Sequence, residues 1–200
     1  MTCTMSIFIV IRRVIDILII TGKTCSGKNV VSDELINKHG FHRLTTFTTR
    51  PIRNGEVNGE TYHFINTDEF MQRVKEKFFA EWKAYTTTEG VWYYGTAMED
   101  LEKADDKTVV ILTPDGYRDI KDKVDSKVVS IYLYANNATI KKRLIARGDD
   151  PKEAERRILH DNEDFKGIEN EVDRIVYNNE SDTIEGAVQK ILKYVSEVKG

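Results

Sequence analysis

Seven consecutive residues, Gly22-Lys23-Thr24-Cys25-Ser26-Gly27-Lys28, have the types and spacing to hold a phosphate. They fit the pattern GxxxxGK. Its glycines let backbone N–H groups turn inward and approach phosphate oxygens with no Cβ in the way. A helix opening at the loop adds the partial positive charge of its N-terminus, and Lys28 adds a full charge beside the β- and γ-phosphates. The position after Lys28 departs from the pattern. A Ser or Thr hydroxyl there would help to hold Mg²⁺, whereas this chain has Asn29. An amide oxygen also ligates a hard cation, directly or through water, so Asn29 is a candidate metal contact. Cys25 reads as a small space-filling side chain in the loop, because phosphoryl transfer needs no protein nucleophile.

A second constellation lies downstream in Thr48-Thr49-Arg50-Pro51-Ile52-Arg53-Asn54-Gly55-Glu56-Val57-Asn58-Gly59-Glu60-Thr61-Tyr62-His63-Phe64. Two arginines three residues apart, with tyrosine hydroxyls near them, can hold a dianionic phosphate through charge-assisted bonds. Singly, each residue has a plainer reading: Arg50 and Arg53 as a solvated turn, Tyr62 and Tyr94 as core aromatics, Glu81 as a surface charge beside Trp82.

This stretch resembles the guanylate kinase signature, in which TTRxxR precedes GEVxGxxYxF. The resemblance continues through Phe79-Ala80-Glu81-Trp82, Tyr93-Tyr94-Gly95-Thr96 and Arg143-Leu144-Ile145-Ala146-Arg147-Gly148, and spans about Ile17 to the C-terminus. It implies that Arg50, Arg53, Tyr62 and Tyr94 bind the acceptor phosphate, with Thr46 where the family usually has a nearby serine. It implies that Glu81 reads guanine with Thr96 as hydroxyl partner. Guanine offers N1–H and an exocyclic amine to a carboxylate, whereas adenine lacks the N1–H and would leave a buried acceptor unpaired. Arg143, Arg147 and Arg157 match the family's lid arginines best, with Arg156 an adjacent alternative, and Arg143 and Arg147 sit four apart on one helix face. Alone, they read equally well as a basic helix face balanced by Glu153, Glu155 and Glu163. Asn178 and Asn179 fall where the family approaches the donor adenine. A second departure stands at Ile111-Leu112-Thr113-Pro114-Asp115-Gly116, where the family usually carries LDIDxxG; Asp115 is shifted and lies beyond a proline.

These residues need elements to position them. Ile17–Thr21 reads as a strand buried on both faces, and Asn29–His39 as a helix stopped by Gly40. Residues 41–97, rich in Thr, Tyr, Phe and Trp with turns at Asn54-Gly55 and Asn58-Gly59, read as a mostly-β insertion. One helix interrupts it, with Thr67 or Asp68 as cap. Beyond it, Thr108–Leu112, Val128–Tyr134 and Arg174–Tyr177 read as strands. Asp115–Val124, Ala138–Ala146, Pro151–Asn170 and Thr183–Val198 read as helices. Repeated strand–helix units predict an α/β fold: a P-loop three-layer architecture with a central parallel sheet and helices on both faces. The 200 residues suit one domain. Its core is 17–45 and 98–200, its acceptor-binding subdomain 46–97, and its lid region 143–170.

The bulk numbers exclude several classes. A net charge of −3 argues against a general nucleic-acid surface. Two cysteines, Cys3 and Cys25, make neither a disulfide framework nor a zinc pattern, which suits a reducing cytoplasm. Ser6–Ile20 is strongly apolar, but Arg12, Arg13 and Asp16 interrupt it. Its uninterrupted runs fall short of the roughly 20 residues that cross a bilayer, and it lacks the order of a signal peptide. Residues 1–15 read as an extension or an extra edge strand. The expectation is a kinase that moves a phosphoryl group from ATP, with Mg²⁺, to GMP or dGMP. The rivals are a kinase for another nucleoside monophosphate and a non-catalytic protein-binding domain of the same family.

Overall fold

The computed structural model describes residues 17–87, 90–123 and 128–199; the extension or extra edge strand read over residues 1–15 and the predicted helix end at Val124 lie outside them. Five parallel strands form the main sheet: β1 (Ile17–Thr21), β2 (His42–Arg43), β7 (Thr108–Ile111), β8 (Val128–Tyr134) and β9 (Arg174–Tyr177). Their order is β2-β7-β1-β8-β9, with Ile17 beside Thr108 on one side and Val128 on the other. β1 has no polar alternation because both its faces are covered. Leu18 and Ile20 pack with Val31 and Leu35 of α1 (Lys28–His39) and Val188 and Ile191 of α7 (Ile184–Lys199). Ile17 and Ile19 pack on the opposite face with Tyr117 and Ile120 of α4 (Pro114–Lys121).

The insertion builds its own sheet. β3 (Phe47–Thr48), β4 (His63–Phe64), β5 (Phe79–Thr87) and β6 (Gly90–Ala97) run in the order β4-β3-β6-β5. β5 and β6 are antiparallel, with Glu81 opposite Thr96 and Lys83 opposite Tyr94. Phe47, Phe70, Phe79 and Ala97 form a small apolar core beneath the sheet, against α2 (Thr67–Lys75). Two further helices, α5 (Asn137–Ala146) and α6 (Pro151–Asp164), pack through Ile140, Leu144, Ala154 and Ile158. A short helix, α3 (Met98–Glu102), follows β6.

Several predicted boundaries move for local reasons. Asn66, not Thr67 or Asp68, caps α2, its side chain accepting from the Glu69 N–H at 2.8 Å. α4 starts one residue earlier than read, because Thr113 caps it and Pro114 takes the first turn. The predicted helix over Pro151–Asn170 ends at Asp164; Gly167 adopts φ 84° and a 3-10 turn follows over Ile168–Asn170, which buries Phe165 and Ile168 in the core. No helix among the described residues is long and apolar enough to cross a membrane.

Candidate active site

The loop after β1 bends into a shallow cup. Cys25 takes φ 52° and Gly27 φ 100°, which turns successive N–H groups toward one side. Two glycines are fixed by their surroundings. A Cβ on Gly22 would lie 2.6 Å from the Leu133 carbonyl oxygen, and one on Gly27 would lie 2.4 Å from Asn178 Nδ2. The cup is braced from behind. Arg143 of α5 donates to the carbonyls of Cys25 (3.1 Å), Ser26 (3.3 Å) and Asn178 (3.0 Å), and Asn178 Nδ2 donates to the Ser26 carbonyl at 2.7 Å. Arg143 therefore reaches the loop's backbone rather than arching over its mouth. Cys25 packs against the α5–α6 core, in keeping with a space-filling role.

At the mouth, Lys28 Nζ donates to the carbonyls of Gly22 (2.6 Å) and Lys23 (2.9 Å). Burial lowers its pKa, partly offset by the Asp161 carboxylate. Two side chains of α6 also sit on the loop. Asp161 Oδ2 accepts from the Thr24 N–H at 2.5 Å, and Asn162 Oδ1 accepts from Lys23 Nζ at 2.5 Å. A carboxylate oxygen thus rests on a loop amide of the kind that cradles phosphate. Asn29, just beyond, is exposed and lines the same cavity.

That cavity, of about 670 Å³, runs from the loop to the insertion sheet; Lys28, Thr46, Arg50, Arg53, Tyr62, Glu81, Tyr94, Arg143 and Arg147 all line it. Arg50 is only 4% exposed and grips Glu56 with two bonds of 2.7 and 2.9 Å. Its guanidinium also lies over the Tyr62 and Phe64 rings. Burial works against its charge, but Glu56 and the nearby tyrosines outweigh that and raise its pKa. Arg53 differs: its N–H donates to Glu56, while its side chain makes no ion pair or hydrogen bond with an acid among the described residues, although its charge acts on Glu56 and Asp149. Burial lowers its pKa, and the charges of Arg50, Arg147 and Arg157 lower it further. Positive charge from the insertion and from the α5–α6 pair therefore converges on one place.

Arg147 and Arg157 are held near it by acids. Arg147 follows α5 as its C-terminal cap and bonds both oxygens of Asp149, at 2.6 and 2.8 Å. Arg157 donates to Asp149 and Glu153. Arg143 and Arg147 thus diverge, one to the loop and one to Asp149, although four residues apart. Arg156 bonds Glu153, whose pKa it pulls down to about 2.

At the far end of the cavity Glu81 is 7% exposed, and Thr96 Oγ1 donates to its Oε1 at 2.6 Å. Burial raises its pKa, and the threonine bond opposes this only in part. Thr113 lines this end too, its hydroxyl accepting from the Gly116 N–H at 3.2 Å. Burial pushes the Tyr85 hydroxyl up to about 12. Asp115 pairs with Arg118 at 2.9 Å and is not part of the cavity wall, so it does not replace the aspartate absent from this strand end.

Sequence reasoning gave no role to Glu56, Lys83, Tyr85, Asp161 or Asn162. Helical spacing carried a signal for Asp161, since Arg157 and Asp161 are four apart and share a face. Strand alternation carried one for Lys83 and Tyr85, which follow Glu81 at steps of two.

A phosphate cup on a parallel α/β sheet, joined by one cavity to a buried carboxylate and converging arginines, defines a P-loop phosphotransferase that works on a second, separately held substrate. The family model described as guanylate kinase matches residues 15–195. The guanylate kinase of Wolinella succinogenes is 32% identical over 171 residues, covering 82% of this chain and 77% of that relative. That of Clostridium perfringens is 33% identical over 179 residues, covering 88% and 80%. The crystal structure of guanylate kinase from Anaplasma phagocytophilum shares the fold, with a TM-score of 0.68 at 22% identity over 94% of this chain and 87% of that one. The chain belongs to the guanylate kinase family, whose members are nucleoside monophosphate kinases that use ATP as phosphoryl donor.

Proposed function

We propose that this chain transfers the terminal phosphoryl group of ATP to GMP or dGMP, giving ADP and GDP or dGDP. The observation that carries this reading is the single cavity with Lys28 at one end, Glu81 bonded to Thr96 at the other, and Arg50 and Arg53 between them. In this reading residues 46–97 form the acceptor-binding subdomain and 143–170 the lid.

Each part then has a task. The amides from Gly22 to Lys28 cradle the donor phosphates, and Lys28 leaves its carbonyl partners to meet the β- and γ-oxygens. Arg50 and Arg53, with the Tyr62 and Tyr94 hydroxyls, hold the acceptor phosphate. Thr46 serves beside that phosphate, and ionised Glu81 accepts from the guanine N1–H and exocyclic amine, with Thr96 as its hydroxyl partner. Arg147 and Arg157 neutralise charge on the transferring group, and Arg143 keeps the loop in shape. The acceptor phosphate is its own nucleophile, so no general base is required. Rate enhancement comes from alignment and from charge placed in advance.

Mg²⁺ fits as a companion of ATP rather than a resident ion. No cluster of three or more acidic, His or Cys ligands exists among the described residues. Mg²⁺ usually keeps several waters and binds through substrate phosphates with one or two protein oxygens. Asn29 would supply one such oxygen. When bound, the ion screens charge on the β- and γ-phosphates.

A coupled ADP-release assay across all nucleoside monophosphates, with and without Mg²⁺, tests the reading. GMP and dGMP should be turned over fastest, and only with Mg²⁺. Faster turnover of AMP or a pyrimidine monophosphate would overturn the assignment of Glu81 and favour the rival kinase reading that Thr113 keeps in play.

A further inference from the structure

We infer that Lys83 determines base specificity by donating to the O6–N7 edge of guanine, with Asp119 of α4 holding its ammonium in place. The inference rests on the reading of the Glu81 end as the base subsite.

Strand geometry puts Lys83 there. Successive side chains of a strand point to opposite faces, so Glu81, Lys83 and Tyr85 share one. All three line the cavity, while Trp82 between them is 39% exposed. Lys83 lies opposite Tyr94, one step along from the Glu81–Thr96 pair. Its ammonium is 3.2 Å from Asp119 Oδ2. It makes no other hydrogen bond among the described residues, which leaves N–H groups for a ligand. Its charge reaches Glu81, whose carboxylate it helps to keep ionised. The other nearby cation, Lys123, is already committed to the Ala80 carbonyl.

The chemistry is complementary. Guanine presents donors at N1 and N2 and acceptors at O6 and N7 around the same rim. A carboxylate and an ammonium two residues apart on one strand face match that order of donors and acceptors. Adenine carries an N6 amine where guanine has O6, so it would set a donor against the ammonium and leave Glu81 without its N1–H. Lys83 therefore supplies the second half of a discrimination that Glu81 begins.

Four acceptors separate the contacts. IMP lacks the 2-amino group and reports on Glu81. 7-Deaza-GMP lacks the N7 acceptor, and 6-thio-GMP has a weak acceptor at position 6. With GMP as reference, kcat and KM are measured for the wild type, Lys83→Met, Lys83→Arg and Asp119→Asn. The wild type should lose about tenfold in kcat/KM on at least one of the 7-deaza and 6-thio analogues, the size expected for one bond to a charged donor. In Lys83→Met the KM for GMP should rise about tenfold with a smaller change in kcat, and that analogue penalty should shrink to within about twofold. The IMP penalty should persist. Lys83→Arg should restore most of the loss, and Asp119→Asn should fall between. An unchanged analogue penalty in Lys83→Met, or a wild type that treats GMP and both analogues alike, overturns the role of Lys83. Neither result touches the base subsite if GMP remains preferred. A wild type with no GMP preference overturns both.

Discussion

On the proposed reading, the two ends of the cavity would hold phosphate by different means. The donor end is made of backbone: residues 22–28 form the cup, and a single side chain, Lys28, adds charge. The acceptor end is made of side chains gathered from β5, β6 and the turns around β3 and β4. The donor cup is kept in shape by bonds to its carbonyls from Arg143 and Asn178. The acceptor end is kept in shape by opposed charges, above all the two-pronged Arg50–Glu56 pair. A backbone site is fixed by local conformation and is hard to damage except at its glycines and its lysine. A side-chain site depends on cross-strand register, and each member can be removed singly.

The largest effect should come from the donor end. Lys28→Met should lower kcat by about 10²–10³-fold, as for loss of one preorganised charge at a transition state. It should leave the KM for GMP within about twofold, because the ends bind independently before transfer. An equal rise in that KM would show that the two ends are not separable. The two acceptor arginines should then part company. Arg50→Ala should cost about 100-fold in kcat/KM for GMP and also lower Tm, because Glu56 is left half-buried without its partner. Arg53→Ala should cost a similar factor in kcat/KM with little loss of Tm, since its side chain forms no ion pair among the described residues and is repelled by three other arginines. Thermal melts beside steady-state kinetics decide this.

The same contrast explains what could be read in advance. The donor loop was legible because seven adjacent residues carry it and the strand and helix around it have clear periods. The central parallel sheet was legible for a similar reason: Leu18 and Ile20 face one helix layer and Ile17 and Ile19 the other, so an uninterrupted apolar run is what burial on both faces demands. Arg50, Arg53, Tyr62 and Glu81 emerged as a set only through resemblance, since pairings such as Phe47 with Gly95 are set by folding and not by local spacing. The lid was least legible. Arg143 and Arg147 are four apart, yet Arg147 falls at the helix end and turns to Asp149. Asp161 shares a helix face with Arg157, but its contact with Thr24, 137 residues away, is set by the fold.

Glu81 should show a smaller, pH-dependent effect. Burial raises its pKa in the folded state. The folded chain therefore holds this proton over a range where the unfolded chain has lost it. The stabilisation is fully present below the unfolded value and is lost as pH rises through the folded one, so ionised Glu81 costs stability at neutral pH. Glu81→Gln should not lower Tm at pH 7, and any gain in Tm should vanish in acid, where the wild-type side chain is neutral too. The same substitution should reduce kcat/KM for GMP by about 10- to 100-fold, the range for a lost bond to a charged acceptor. In the wild type, the KM for GMP should rise with falling pH from above the ordinary carboxylate range. A flat profile down to pH 4.5 would mean that the carboxylate does not bind the base.

The smallest effect should come from Asp161, and it tests how far the donor end is prepared for its ligand. Its carboxylate occupies the Thr24 N–H, and that amide belongs to the cup that must accept a triphosphate. On the proposed reading, ATP would displace this oxygen, and the departing charge would lie beside the incoming one. Asp161→Asn removes the charge and keeps an acceptor; Asp161→Ala removes both. The KM for ATP should fall about twofold in the first and about fivefold in the second, the scale of one modest hydrogen bond relinquished before binding. Values of kcat and of the KM for GMP should stay within about twofold, because the acceptor end has no bond to this residue. Part of the benefit should be offset, since Asp161 also supports the charge on Lys28. A rise in the KM for ATP in Asp161→Ala would reverse the reading: Asp161 would then be holding the loop open for ATP rather than standing in its place, and the donor end would depend on a side chain as much as the acceptor end does.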